Sequence, residues 1–256
     1  MKPYHLLRLV LALLLTGIFL APLRAPAAGI AGDPGGHNNR GVKYAQKKEY
    51  DKAIEEFNRA IELQPKDPKN YRNRALTYRL MGKAKEAKAD FAKAIALNPD
   101  AAKSHIDRAR MLLHDKKSKE ALKELDQVLE NDPRDRAALR LRAYIYLQQR
   151  EWKKAIADYD VAINTIAAVD IEGRTRRGFA YRNLKQYDKA LEDFDKVIEA
   201  RPKDIEAYRR RVYVYREMKQ NDKAIADLQT ILKLKPDDKD AEEQLKALQK
   251  KPQKNG

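Results

Sequence analysis

The pattern of apolar and polar positions repeats along most of this chain. In Glu49-Tyr50-Asp51-Lys52-Ala53-Ile54-Glu55-Glu56-Phe57, Ala53 and Phe57 stand among charged residues, and Ala60 and Pro65 follow at helical spacing. Gln186-Tyr187-Asp188-Lys189-Ala190-Leu191-Glu192-Asp193-Phe194, with Pro202 beyond it, is nearly the same text. Pro65, Pro99 and Pro133 lie 34 residues apart, as do Pro202 and Pro236. A fixed period of that size is the mark of a repeat array.

Numbering Pro65 as position 32 of the unit puts Gly41 at 8, Tyr44 at 11, Ala53 at 20, Phe57 at 24 and Ala60 at 27. The next units read Ala75, Tyr78, Ala87, Phe91, Ala94, Pro99, then Ala109, Leu112, Ala121, Leu125, Val128, Pro133, then Ala143, Tyr146, Ala155, Tyr159, Ala162. After a one-residue slip come Gly178, Tyr181, Ala190, Phe194, Val197, Pro202, and finally Val212, Tyr215, Ala224, Leu228, Ile231, Pro236. Small residues at 8, 20 and 27 let two helices approach closely, and the large ones at 11 and 24 fill the space beside them. Proline ends the second helix because it cannot continue it. Asp67, Asp135, Asp204 and Asp238, two residues further on, are predicted to cap the next helix, and Pro68 fits a first turn.

This pattern resembles the tetratricopeptide repeat. The resemblance implies an all-α fold, a right-handed superhelical solenoid of six helix-turn-helix repeats over 34–67, 68–101, 102–135, 136–169, 171–204 and 205–238. The first unit is predicted to carry helices near 36–48 and 50–63, and Gly82 to stop a helix in the second. Residues 239–250, with Ala241, Leu245 and Leu248 on one face, are expected to form a capping helix, and 251–256 a disordered tail. Ala167 stands where proline is expected and Val212 where glycine or alanine is usual. Trp152 and His105 are expected to pack between helices.

Residues 1–28 stand apart. Lys2 and Arg8 precede an uncharged apolar run over 9–21, and Ala25-Pro26-Ala27 has the spacing of an A-x-A cleavage site, so the segment reads as a signal peptide cut after Ala27 or Ala28. The run is short of the roughly 20 residues that span a bilayer. Residues 29–33 then form a flexible leader, and the expectation is an exported bacterial protein, periplasmic or secreted. With no cysteine, neither a lipid anchor on a thiol nor a disulfide is available.

No catalytic motif is legible: H-E-x-x-H, G-x-x-x-x-G-K-[ST] and G-x-S-x-G are all absent, and the four histidines share no metal-like spacing. The expectation is a non-enzyme without cofactor or metal. The resemblance implies instead that the first helices line a concave groove, with positions 2, 5, 6, 9, 12 and 13 facing into it. Carried onto this chain, the candidates for partner binding are Arg72, Asn73, Arg79, Lys103, Arg110, Arg140, Tyr144, Arg176, Phe179, Arg182, Arg209, Arg210, Tyr213 and Arg216. Across all the groove positions, Lys69 included, eleven cations oppose four acids, Asp107, Glu172, Glu206 and Glu217. Arginine holds carboxylates in a two-pronged grip and stacks on rings, and the recurrence of Tyr144, Phe179 and Tyr213 at position 9 adds an aromatic stripe.

That combination suits a protein partner offering an acidic peptide or a terminal carboxylate. The alternative is an anionic cell-envelope polymer held by a generally basic surface, since the whole chain carries +16. Nucleic acid is not expected as a partner, nor a stable membrane span once the signal is removed. The clamp by which some members of the family hold chaperone C-termini is matched only at Asn73 and Lys103. Asn38, Val42 and Asp107 occupy its other places.

Overall fold

The computed structural model describes residues 33–165 and 169–249. The signal segment, residues 29–32 of the leader, Ala167 and the tail over 251–256 lie outside the described residues. Within them the chain forms thirteen α-helices and no strand: α1 Pro34–Gln46, α2 Tyr50–Leu63, α3 Pro68–Leu80, α4 Ala84–Leu97, α5 Ala102–His114, α6 Ser118–Asn131, α7 Arg136–Gln148, α8 Trp152–Asn164, α9 Ile171–Asn183, α10 Tyr187–Ala200, α11 Ile205–Glu217, α12 Asn221–Leu234 and α13 Lys239–Gln249. They pack as successive antiparallel pairs, each also packed on the next, and α13 closes the last pair by lying on α12.

The small-against-large rule explains the pairing. Ala53, Ala60, Ala87, Ala94, Ala121, Ala155, Ala162, Ala190 and Ala224 are fully buried, and so, to within 1%, are Phe57, Phe91, Leu125, Tyr159, Phe194 and Leu228 at position 24. A Cβ on Gly41 would stand 2.6 Å from the Phe57 ring, and one on Gly178 2.7 Å from Phe194. Four helix starts, those of α3, α7, α11 and α13, follow the predicted caps. Asp67 accepts from the Lys69 amide at 2.9 Å, Asp135 from Ala138 at 2.8 Å, Asp204 from Ala207 at 3.3 Å and Asp238 from Ala241 at 3.1 Å. Asp170 does the same for Gly173 at 2.9 Å, one residue after the regular register. α5 begins at Ala101 with no side-chain cap.

The turn inside each unit needs one residue in the left-handed region. Gly82 supplies it at φ 75°, and in the other five units a cation does: Lys48, Lys116, Arg150, Lys185 and Lys219, at φ between 57° and 64°.

A row of arginines at position 7 binds unit to unit. Arg74, Arg142, Arg177 and Arg211 each grip both oxygens of a buried aspartate in their own unit, Asp90, Asp158, Asp193 and Asp227, through Nε and Nη2 at 2.6–2.8 Å. Their Nη1 atoms donate backwards to Asn58, Asp126, Asp160 and Asp195 on the second helix of the preceding unit, at 2.6–2.8 Å. Each guanidinium therefore ties three helices. In the first and third units glutamate replaces the aspartate and histidine stands at position 4. His37 Nδ1 lies 2.7 Å from Glu56 and His105 Nδ1 lies 2.8 Å from Glu124, while Arg40 and Arg108 hold the same carboxylates. In the fifth unit Asp193 likewise serves both neighbours, Arg177 and, at position 4, Arg174 at 3.1 Å. His105 is buried, with its Nε2 2.8 Å from the Pro99 carbonyl, where Tyr71 and Tyr208 instead donate a hydroxyl to Pro65 and Pro202. Burial pushes the Glu124 carboxyl up, but hydrogen bonds and charge from His105 and Arg108 outweigh it and hold the group below the ordinary carboxylate value.

Candidate functional site

The first helices of successive units, α1, α3, α5, α7, α9 and α11, touch one another, whereas the second helices do not. The odd-numbered helices through α11 therefore form a continuous inner surface. Adjacent units are sewn together across it: Asn73 donates to Asn38 at 3.0 Å, and Asn38 to Asn70 at 2.6 Å.

The cations expected to face the groove divide into two sets. Five meet carboxylates of the protein itself. Arg72 and Arg110 converge on the buried Asp107 at 2.5 and 3.0 Å, Arg140 and Arg176 both hold Glu172, and Arg209 meets Glu206, Asp238 and Asp240. The excess of positive charge counted along the sequence is thus smaller as unpaired charge, because carboxylates outside the groove positions, Asp170, Asp238 and Asp240, reach onto the surface. The other six, Lys69, Arg79, Lys103, Arg182, Arg210 and Arg216, meet no carboxylate within 4.0 Å among the described residues; Arg216 donates to Gln244 on α13 at 2.9 Å.

The aromatic stripe is interleaved with arginine. The Arg176 guanidinium lies 4.7 Å from the centre of the Tyr144 ring, and that of Arg182 lies between Phe179 and Tyr213 at 4.8 and 4.3 Å. Trp152 meets Phe179 edge-on at 5.8 Å and packs partly buried on the core of the fifth unit, so it is both packing residue and groove wall. Tyr213 remains 46% exposed.

Two open cavities adjoin this stripe. One of about 510 Å³ lies between α7 and α9, with Arg136, Arg140, Arg176, Glu172 and Tyr159 among its walls. The other, about 590 Å³, shares Tyr144, Glu172 and Arg176 with it and continues to Trp152, Phe179 and Arg210. A third, of about 350 Å³, lies at the other end of the groove against Lys69, Arg72, Asn73 and Lys103.

Sequence reasoning passed over Tyr159 and Arg136. Tyr159 sits at position 24, where the other units place phenylalanine or leucine, and its hydroxyl has no hydrogen-bond partner among the described residues. Burial pushes its phenol well above the ordinary value. The legible signal was a single hydroxyl in an otherwise apolar column.

Among the described residues no group of histidine, aspartate and glutamate is placed to hold a metal ion, and no helix is long and apolar enough to cross a membrane. What the surface offers is guanidinium charge lying over aromatic rings.

Comparison with known families turns on the repeat itself. Four sequence models, each described as a tetratricopeptide repeat, match residues 42–114, 117–170, 171–204 and 205–238. The chain belongs to the tetratricopeptide repeat family. Tetratricopeptide repeat proteins serve as protein–protein interaction scaffolds and are in general non-catalytic. Among solved structures, YrrB, a repeat protein with an unusual peptide-binding site, is 23% identical with TM-score 0.64, over 74% of this chain and 97% of its own. PilF of Pseudomonas aeruginosa is 14% identical with TM-score 0.69, over 84% and 97%. A chain of the APC/C hetero-tetramer Cut9–Hcn1 is 17% identical with TM-score 0.63, over 85% of this chain; the present chain spans only 43% of its length. At these identities the likeness is one of fold. No curated protein matches the sequence.

Proposed function

We propose that this tetratricopeptide repeat protein is a non-catalytic scaffold that holds an acidic segment of a partner protein in its inner groove. The observation that carries the reading is Arg182. Its guanidinium is stacked between Phe179 and Tyr213 and meets no carboxylate among the described residues, so its charge is oriented and unspent. Arg79, Lys103 and Arg210 extend the same unpaired charge along the groove, and apolar ring faces lie between the cations. An extended peptide carrying acidic and aromatic side chains matches that alternation. The peptide-binding site named for YrrB supports a groove on this fold as a place for such a ligand.

The test is binding of a labelled peptide of alternating glutamate and phenylalanine, amidated at its C-terminus, read by fluorescence anisotropy. We expect a Kd of about micromolar, near −8 kcal/mol, weakened about tenfold by Arg182→Ala and little by Lys116→Ala/Lys185→Ala. Binding that is indifferent to Arg182, falls with the lysine substitutions and vanishes steeply with salt would replace the groove by an anionic polymer on a basic surface. The reading includes export through residues 1–28. An N-terminus beginning at Ala28 or Gly29 in the protein recovered from its native source supports export, and one at Met1 sinks it.

A further inference from the structure

We infer that the cavity between α7 and α9 is a receptor for one carboxylate of the ligand, and that Glu172 occupies it as a stand-in until the ligand arrives. The inference rests on the groove reading and adds a defined anchor to it. Glu172 Oε2 is held by Arg140, and Oε1 by Arg176 at 2.9 Å, so one carboxylate bridges two guanidinium groups. Yet the Glu172 side chain is 60% exposed, and nothing but these two arginines fixes it. It can swing into water at little cost, leaving a two-armed grip of the right width for another carboxylate.

The walls stay in place when it leaves. Asp170, almost fully buried and bound to the Gly173 amide, lies 3.0 Å from Arg136 and 3.5 Å from Arg140. Of the four arginines lining the cavity, Arg110 is taken up by Asp107; the other three face two carboxylates with Glu172 in place and one with it gone. The site then carries two positive charges in excess and draws an anion. Behind the rim stands Tyr159, one of the residues lining the cavity, fully buried, its hydroxyl closed off from solvent and without a hydrogen-bond partner among the described residues. A buried hydroxyl left unpaired is costly, and at the same position five other units avoid the problem with phenylalanine or leucine. A ligand carboxylate that displaces Glu172 and shifts the groups closing over the ring would offer that hydroxyl the acceptor it lacks. The adjoining cavity, walled by Trp152 and Phe179, would receive an aromatic neighbour on the same peptide.

The test compares variants of the full chain with the labelled glutamate–phenylalanine peptide. Glu172→Ala is expected to tighten binding about fivefold, while Glu217→Ala, which removes the same charge from the groove of the sixth unit, changes it less than twofold. Tyr159→Phe, the residue that other units carry there, is expected to weaken binding about tenfold, the usual worth of a hydrogen bond to a charged group. If Glu172→Ala and Glu217→Ala act alike, or Tyr159→Phe binds as the parent does, the receptor is overturned. Loss of binding in Arg182→Ala would still uphold the groove.

A second arm reads the cavity without a peptide. In protein labelled at the tyrosine ring carbons, the NMR signal missing from Tyr159→Phe identifies Tyr159. It is expected to move with N-acetylglutamate N-methylamide and not with the glutamine analogue, and at lower concentration in Glu172→Ala. N-acetylphenylalanine, in the same titration, separates a C-terminal carboxylate from a side-chain one. A Tyr159 signal that ignores all three carboxylate and amide probes overturns the inference whatever the peptide does.

Discussion

Arg176 and Arg177 are neighbours on α9 and live in different surroundings. A step of about 100° around the helix separates them. Arg177, 13% exposed, is sunk in the seam, where it holds Asp193 and Asp160; Arg176, 35% exposed, lies over Tyr144 in the groove and shares Glu172 with Arg140. The same division recurs at Arg210 and Arg211, the first in a cavity wall and the second clasping Asp227 and Asp195. One row of arginines is fixed by a buried carboxylate of its own unit, with a more exposed group of the preceding unit as its second partner. The other row is mixed: Arg72, Arg110 and Arg209 also reach buried aspartates, whereas Arg176 and Arg182 answer to an exposed carboxylate or to rings, and these last are the ones placed to exchange a partner for a ligand.

The strongest way to break this comparison is to delete one member of each row. Arg177→Ala leaves the buried Asp193 with Arg174 alone, at 3.1 Å, and should cost about 2–4 kcal/mol of stability. Arg176→Ala should cost less than about 1 kcal/mol, being an exposed pair. Urea unfolding followed by circular dichroism reads both, and equal losses would abolish the distinction.

Next in size is the seam in the third unit. Glu124→Gln should cost about 1–3 kcal/mol at neutral pH by weakening charge-assisted bonds with His105 and Arg108. The sign with pH follows from the lowered pKa of Glu124. A carboxylate held below its unfolded value contributes stability that is complete above that value, about 4.3, and lost as pH falls through the folded one. The gap between the parent and Glu124→Gln should therefore be widest near neutrality and close in acid. A gap that widened in acid would contradict the direction.

The turn cations belong to neither row and sharpen the contrast from the other side. Lys185 has φ 57°, so Lys185→Gly should relieve the left-handed strain and raise stability by about 0.5–1 kcal/mol after the larger unfolded-state freedom of glycine is set against it. A loss on the same substitution would mean that the side chain makes a stabilising contact there. Smallest of all, Arg79→Ala should leave stability within about 0.5 kcal/mol while weakening an acidic peptide, a separation visible only when unfolding and binding are measured on one preparation.

Much of this was legible along the chain. The proline period, the small residues at 8, 20 and 27 and the caps at Asp67, Asp135, Asp204 and Asp238 follow from local chemistry, because a helix start and a close helix crossing each demand a particular residue within a few positions. The position-7 arginines also recur every unit, as do the acids at position 23, but the pairing spans 16 residues within a unit and again 16 back to the preceding one, so it surfaces only when both columns are read together. The groove was legible as a list of positions and not as a charge. Asp170, which takes up Arg140, is the inserted residue between two units, and Asp238 and Asp240, which take up Arg209, lie at the end of its own unit and on α13; all three stand outside the groove positions.

The sequence by itself determined the repeat, the all-α solenoid and the columns of residues that face inward, since each depends on periodicity and on contacts inside one unit. Only the tertiary structure decided which arginines are unpaired, that Arg182 lies over two rings, and that the Tyr159 hydroxyl is buried without a partner among the described residues, beside a cavity. Those outcomes depend on how far each unit is rotated over the last. A rotation of that kind brings together side chains some thirty residues apart, and no local pattern records it.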